Sequence, residues 1–252
     1  MAEALAEIRA AAGFLTRLPV GEVGDRAGAA AFGLVGAGLG LAGAVPLAVL
    51  GGPLPLVAAV LSLALIVVLT GGVHLDGLAD TSDALAAPTP DVAERARRDP
   101  RLGSGGVAAV TLDLALAGAC LATLAARDGL LAGAALVVAV TVSRSAAPLA
   151  AFVRARTGGG EVSGAGAWFV RRVGTLSIAG VLMTGVVVAA LATVVAGPAV
   201  ALGTAWGVVA GAALGAWIVM RRGQLDGDGY GAIVELTFLS VLTGIAVAGS
   251  LA

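Results

Sequence analysis

The sequence contains very little charge. Only 12% of its 252 residues are charged, 59% are hydrophobic, and the mean hydropathy is +1.02. A soluble domain of this length does not have such a composition, which therefore excludes a water-soluble globular protein. The formal net charge is −1, so nothing in the charge balance favours nucleic-acid binding.

Several catalytic and structural signatures are absent. Cys120 is the only cysteine; it cannot form an intrachain disulfide, and its apolar surroundings indicate a buried thiol. Walker, nucleophile-elbow and paired Cys-x-x-Cys motifs are missing, which excludes the enzyme classes that depend on them. Residues 1–20 also lack the basic and apolar pattern of a secretory signal.

Apolar runs long enough to cross a bilayer recur along the whole chain. They predict an all-α fold, a polytopic membrane helical bundle with about seven transmembrane helices, forming a single domain over residues 1–252. An amphipathic helix over residues 2–18 is expected to lie on the membrane surface. The 39 glycines suit close packing between membrane helices. The predicted spans are residues 31–51, 55–73, 105–126, 129–153, 174–196, 199–220 and 231–251.

Lysine is also absent, so all fifteen basic side chains are arginine. With seven spans, thirteen of these arginines fall on one side of the membrane, whereas Arg127 falls on the other and Arg144 lies within a span. Cytoplasmic loops carry the excess of basic residues. The pattern therefore predicts a cytoplasmic N-terminus, an external C-terminus and a cytoplasmic working face.

The stretch GGVHLDGLADTSDALA, residues 71–86, carries the strongest functional signal. It places Asp76, Asp80 and Asp83 at i, i+4 and i+7, on one face of a helix that follows an apolar span. Three like charges at that spacing repel unless a cation binds them, and carboxylates with substrate phosphates suit Mg²⁺. Gly77 would let a ligand approach the backbone. The alternative is a solvated helix face paired with the arginines at 95–101.

Two further segments carry polar residues beside glycines. RRDPRLGSGG, residues 97–106, places arginines before a glycine-rich helix start, an arrangement that suits phosphate binding; the alternative is a topology anchor. LDGDGYGAIVEL, residues 225–236, holds Asp226 and Asp228, which can reach a metal shared with another helix. The segment does not match an EF-hand.

Three residues within or beside the spans are further candidates. Asp113 and Arg144 lie roughly 10 and 15 Å into adjacent spans, where each would be costly alone. We expect either an ion pair between them or a position for Arg144 in the substrate cavity. His74, the only histidine, is a candidate general base or ligand, with a structural interfacial role as the alternative.

The motif GGVHLDGLADTSDAL resembles the signature of the cobalamin synthase family, the adenosylcobinamide-GDP ribazoletransferases. Other segments resemble that family in the same order over nearly the whole chain. Ala84 and the Leu225–Asp226 pair depart from the family's pattern, and Asp113 has no counterpart in it. The supporting segments are GFLTRLPV at 13–20, RRDPRLGSGG at 97–106, Ser143–Arg144, Ala155–Arg156 with Gly158, and GDGYGAIVEL at 227–236.

The resemblance implies a Mg²⁺-dependent phosphoryl transfer. A hydroxyl of α-ribazole, or of its 5′-phosphate, attacks the cobinamide-side phosphate of adenosylcobinamide-GDP, and GMP leaves. We expect His74 to be the general base, with Asp83 and Asp99 as alternatives. The expected metal ligands are Asp76, Asp80, Asp83 and Asp228, and the expected substrate-binding residues are Arg17, Arg98, Arg101, Arg144 and Gly77.

Two other functions fit the composition. A CDP-alcohol-type lipid phosphotransferase should continue its motif after Asp80 and Asp83, but alanine follows here and the rest of that motif is missing. A cation-coupled transporter should place acids near the bilayer midplane or in repeated halves. The acids here cluster at one membrane face. All three candidate functions make the lipid bilayer a partner of the chain. A homo-oligomer is compatible with each of them.

Overall fold

The computed structural model describes residues 1–89, 92–93, 101–157, 164–222 and 225–251. Within these ranges the fold is all-α, with ten α-helices, a short 3₁₀ turn at Ala29–Ala31 and no strand. The helices are α1 Ala2–Leu15, α2 Phe32–Leu50, α3 Pro55–Thr70, α4 Val73–Ala86, α5 Ser104–Arg127, α6 Gly129–Thr157, α7 Gly164–Val170, α8 Thr175–Ala196, α9 Pro198–Arg222 and α10 Gly227–Leu251.

The bundle is that of a multi-pass membrane protein. Six described helices are long and apolar enough to cross a membrane, and α3 with α4 makes a seventh if the bent pair counts as one span. The prediction of about seven spans is thereby confirmed. The second span ends at Thr70, and the chain then turns by 91° into α4. Gly71 and Gly72 make this turn with φ of +67° and +69°, a conformation that other residues adopt only with strain.

Helices α9 and α10 approach each other along a stripe of glycines spaced four residues apart. A Cβ at Gly203 would lie 2.2 Å from the backbone nitrogen of Ile245, and one at Gly207 would lie 2.4 Å from the Cα of Val241. Gly211 continues the stripe, with Thr237 Oγ1 at 2.5 Å from its Cβ position. Small residues allow membrane helices to pack backbone to backbone. The contact with α9 fixes the position of α10, whose first turn forms part of the candidate active site.

The core of the bundle surrounds α10. Phe238, Val241 and Ile245 of this helix are buried against apolar side chains of α5 and α6. At one end of the bundle, Leu15 of α1 and Phe32 of α2 belong to a second buried cluster. α1 ends at Leu15, three residues before the predicted end, and it buries one face through Ala10, Ala11 and Leu15 while most of its other residues are exposed or partly exposed. The apolar core therefore supports both the start of α10 and the N-terminal helix.

Candidate active site

Helix α4 crosses the start of α10 at two glycines. A Cβ on Gly77 would lie 2.8 Å from the carbonyl oxygen of Asp228 and 3.0 Å from the Cα of Gly231. The space that the sequence analysis assigned to a ligand at Gly77 is therefore filled by α10. The close approach has a different use, because it holds Asp76 of α4 beside the first turn of α10.

Asp76 and Asp228 line one cleft of about 230 Å³, which we call the aspartate cleft. Asp76 is exposed and Asp228 is partly buried. The two carboxylates come from helices that are far apart in the sequence, and the glycine crossing brings them together. The structure thus places Asp228, at the start of the last span, in the same cleft as Asp76 of the acidic helix.

An aromatic wall forms part of the same cleft. Phe14, Phe32, Phe169 and Tyr230 line it, and the ring centroids of neighbouring members lie 5.4 to 5.7 Å apart. Three of the five phenylalanines and the only tyrosine of the chain are thus gathered here. Sequence reasoning missed this wall, since its members come from four separate elements and share no spacing.

The short helix α7, which carries Phe169, is tied to the loop before α2. The carboxylate of Asp25 accepts hydrogen bonds from the Arg172 guanidinium and, at 2.9 Å, from Trp168 Nε1. The Arg172 guanidinium and then the Trp168 N–H lower the pKa of Asp25. These contacts keep α7 against the loop and hence keep the aromatic wall in place.

Asp83 lies at the other end of α4 and contacts a different element. Its Oδ2 accepts the N–H of Gly103 and its Oδ1 accepts the N–H of Gly106, both at 2.8 Å. The carboxylate therefore caps the first turn of α5, where unpaired N–H groups favour an anion. It lines a second cleft, of about 460 Å³, together with Arg101. Each oxygen retains a lone pair, so the cap and a metal are compatible.

Replacing Asp83 by alanine is expected to lower stability as well as activity. The substitution leaves two N–H groups at the start of α5 without their acceptor, which typically costs about 0.5–2 kcal/mol. Thermal unfolding of the purified variant, followed by intrinsic fluorescence, measures the loss. Asp83→Asn retains one of the two acceptor oxygens, so it should lose less stability than Asp83→Ala and is the matched comparison. An unchanged unfolding temperature in Asp83→Ala would contradict the capping role.

The other candidates on and beside α4 surround its first turns. Asp80 lies one turn after Asp76 on the same face and is partly buried. His74 is 8% exposed, lines the aspartate cleft, and has no hydrogen-bond partner for Nδ1 in the described part of the chain. Arg17 packs over Gly71 at the bend, since a Cβ added to Gly71 would lie 2.3 Å from the Nε of Arg17. Its backbone N–H also donates to the carbonyl of Leu69 at 2.8 Å.

Arg144 lies inside the bundle, not in the aspartate cleft. Its Nη2 is 3.9 Å from Glu235 Oε1, so the buried arginine forms an ion pair with α10, whereas among the described residues no ion pair within 4 Å joins it to Asp113, one of the two expected arrangements. Nη1 donates to Ser143 Oγ at 2.9 Å, and the guanidinium stands 5.8 Å above the ring centre of Phe238. Glu235 could not be found as the partner from the sequence, because α10 packs directly against α6, a contact that the order of spans does not reveal.

The remaining predicted residues divide into two groups. Arg98 and Asp99 lie outside the described residues. Asp226 accepts the N–H of Gly229 at 3.0 Å through Oδ1 and so caps the start of α10. Its role in the structure is therefore to fix the helix end that carries Asp228.

The donor set fits a divalent ion held jointly with a phosphate ligand. Among the described residues, no three His, Cys, Asp or Glu side chains are arranged to enclose a metal ion. Two carboxylates that line the same cleft remain, those of Asp76 and Asp228. Mg²⁺ typically binds one or two carboxylates and completes its coordination with substrate phosphates and water. The aspartate cleft is thus suited to Mg²⁺ that arrives with a phosphorylated ligand.

Comparison with known proteins gives a consistent picture. A family model described as cobalamin-5-phosphate synthase matches residues 7–246. Three relatives named adenosylcobinamide-GDP ribazoletransferase match over 142 residues, which are 53% of this chain and 54% of each relative. The proteins of Shewanella sp. (strain W3-18-1) and Shewanella putrefaciens (strain CN-32) are 43% identical, and that of Shewanella baltica (strain OS155) is 42% identical. The chain thus spans about half the length of these relatives. No solved structure matches.

Proposed function

Because the chain belongs to the cobalamin-5-phosphate synthase family, we propose that it transfers the cobinamide-phosphate group of adenosylcobinamide-GDP to α-ribazole or α-ribazole 5′-phosphate and releases GMP. The product is adenosylcobalamin or its 5′-phosphate, formed late in cobalamin biosynthesis. The observation that supports this reaction best is the aspartate cleft, which Asp76 and Asp228 line together at the end of an apolar bundle. Phosphoryl transfer depends mainly on positioning and on charge stabilisation.

In the proposed reaction, the acceptor hydroxyl oxygen forms a bond to the cobinamide-side phosphorus. The bond from that phosphorus to the bridging oxygen breaks, and GMP leaves with the electron pair. Mg²⁺ held by Asp76, Asp228 and the pyrophosphate would neutralise the charge that develops on the phosphoryl oxygens. Asp80 extends the acidic face by one turn and Asp83 lies at its far end, and both remain proposed ligands.

The acceptor hydroxyl also loses a proton. His74 lines the aspartate cleft, which favours it as the base over Asp83, whose carboxylate caps α5 in the second cleft. Asp99 remains an alternative. The imidazole ring of His74 is nearly buried. For the hydroxyl to reach it, the acceptor would enter along the aromatic wall.

Arginines near the two clefts are proposed to bind the phosphates. Arg17 packs at the bend that leads into α4, and Arg101 lines the second cleft with Asp83. Arg98 is proposed with them from its motif. The burial of Arg144 and its pairing with Glu235 favour a structural role for that residue.

The protein is proposed to lie in the bacterial cytoplasmic (inner) membrane with its N-terminus and aspartate cleft on the cytoplasmic side. Thirteen of the fifteen arginines fall on the side of the cleft when the spans are counted from the N-terminus. The substrates carry several charges and cannot cross a bilayer unaided, which also favours a site open to the cytoplasm.

The test uses the purified full chain in detergent with adenosylcobinamide-GDP, α-ribazole and Mg²⁺. We expect stoichiometric GMP and cobalamin, followed by liquid chromatography, and no product when a chelator removes the metal. Parallel reactions replace the substrates by a CDP-alcohol and a lipid acceptor. CMP release in those reactions, without GMP release in the first, would assign the chain to the lipid phosphotransferases instead.

A further inference from the structure

A third cavity opens between α6, α9 and α10, and it shares no lining residue with the aspartate cleft. It has a volume of about 500 Å³, and we call it the lateral groove. Its walls are almost entirely apolar. They include Val142, Ala146 and Val153 of α6 and Val208, Ala212 and Met220 of α9.

The lateral groove follows the helices and opens sideways. On α6 it extends from Val142 to Thr157, a length of about 22 Å at the rise of an α-helix. Half of the hydrocarbon core of a bilayer is about 15 Å thick. Two aliphatic side chains at the rim are well exposed, Val153 by 58% and Met220 by 75%. In a membrane protein, such rims face lipid, so the groove is open to one leaflet.

A buried cation closes one end of the lateral groove. Arg154 lines it and is only 8% exposed, and its Nε and Nη2 make no hydrogen bond within the described part of the chain. Among the described residues, no carboxylate forms an ion pair with it. A buried charge without a counter-charge is costly. The neighbouring Arg156 differs, because it is exposed and its guanidinium lies 3.4 Å from the ring centre of Phe152.

We propose that the lateral groove binds one acyl chain of an anionic phospholipid, with the lipid phosphate on Arg154. The apolar walls match the chain, and the length of the groove matches one leaflet with its head-group boundary. The lone arginine at the boundary end supplies the charge that the phosphate needs. The site is separate from the proposed transferase reaction and stands whether or not that reaction is correct.

The test compares two lipids that differ only in head-group charge. The full chain, purified in detergent, is titrated with phosphatidylglycerol or phosphatidylcholine of the same acyl chains, and native mass spectrometry counts the bound lipids. We expect one tightly retained phosphatidylglycerol and a preference of about fivefold over phosphatidylcholine, the effect of one basic residue at an anionic surface. Equal binding of the two lipids would overturn the proposal.

Four variants separate the groove from a general surface effect. Arg154→Gln should remove the preference, Arg154→Lys should retain it, and the matched Arg156→Gln should leave it unchanged. Ala212→Leu narrows the lateral groove, so it should weaken the binding of both lipids while Arg154 is unchanged. An equal loss in Arg154→Gln and Arg156→Gln would overturn the proposal. So would displacement of phosphatidylglycerol by inorganic phosphate with no effect of Ala212→Leu, since the occupant would then be a soluble anion.

Discussion

Replacing Asp76 or Asp228 by asparagine is expected to lower turnover by about 10²–10³-fold, the usual effect of removing one group that stabilises transition-state charge. Each substitution removes a negative charge from one wall of the aspartate cleft but preserves the size of the side chain. The remaining carboxylate should hold Mg²⁺ poorly beside the pyrophosphate. GMP release at several Mg²⁺ concentrations measures the loss, and high Mg²⁺ should restore only part of it.

Asp128 provides the matched control for these variants. It lies at the opposite membrane face, where its Oδ1 accepts the N–H of Leu130 at 2.7 Å, and asparagine can make the same cap. Asp128→Asn should therefore retain full activity. Wild-type turnover in both Asp76→Asn and Asp228→Asn would show that the aspartate cleft is not the metal site.

Breaking the buried ion pair between Arg144 and Glu235 is expected to cost about 3 kcal/mol of stability, the lower end of the range for such pairs. The two groups are 3.9 Å apart, so they attract without a direct hydrogen bond. Arg144→Met removes the cation that pairs with Glu235 within the bundle, and Glu235→Gln removes the carboxylate that pairs with Arg144. Thermal unfolding in one detergent, with the variants compared side by side, measures the loss.

A double variant and a variant of an exposed ion pair serve as controls for this loss of stability. Arg144→Met with Glu235→Leu replaces both charges by apolar groups and should recover much of the lost stability. Arg26 and Glu7 are 3.4 Å apart, but their side chains are 49% and 34% exposed, so Arg26→Met should have little effect. If all four variants unfold at the wild-type temperature, the pair does not stabilise the fold.

The hydrophobic runs in the sequence predicted most of the fold, because a bilayer requires every span to be apolar and helical. They predicted the spans and the helix after the second one, and the i, i+4 and i+7 spacing placed Asp76 and Asp80 on one face. The sharp turn at Gly71 and Gly72 was not predicted, since a pair of glycines is also compatible with a continuing helix. Which helices contact one another was harder to predict.

The features that the sequence did not reveal depend on which helices become neighbours. Asp83 caps a helix that starts twenty-one residues later, and Arg144 pairs with a glutamate on the last helix. Neither spacing follows a helical period. Gly77 illustrates the same difficulty, because its missing side chain indicated a close approach correctly but did not indicate that α10 makes it.

The short helix α3 has a consequence for the membrane around the site. Its 16 residues extend about 24 Å, whereas the hydrocarbon core of a bilayer is about 30 Å thick. Such a hydrophobic mismatch is relieved by local thinning of the bilayer, which brings lipid head groups inward beside the bend. The first turns of α4 then lie below the average membrane surface. Membrane thickness thereby becomes a determinant of how deeply a charged substrate must descend to reach Asp76.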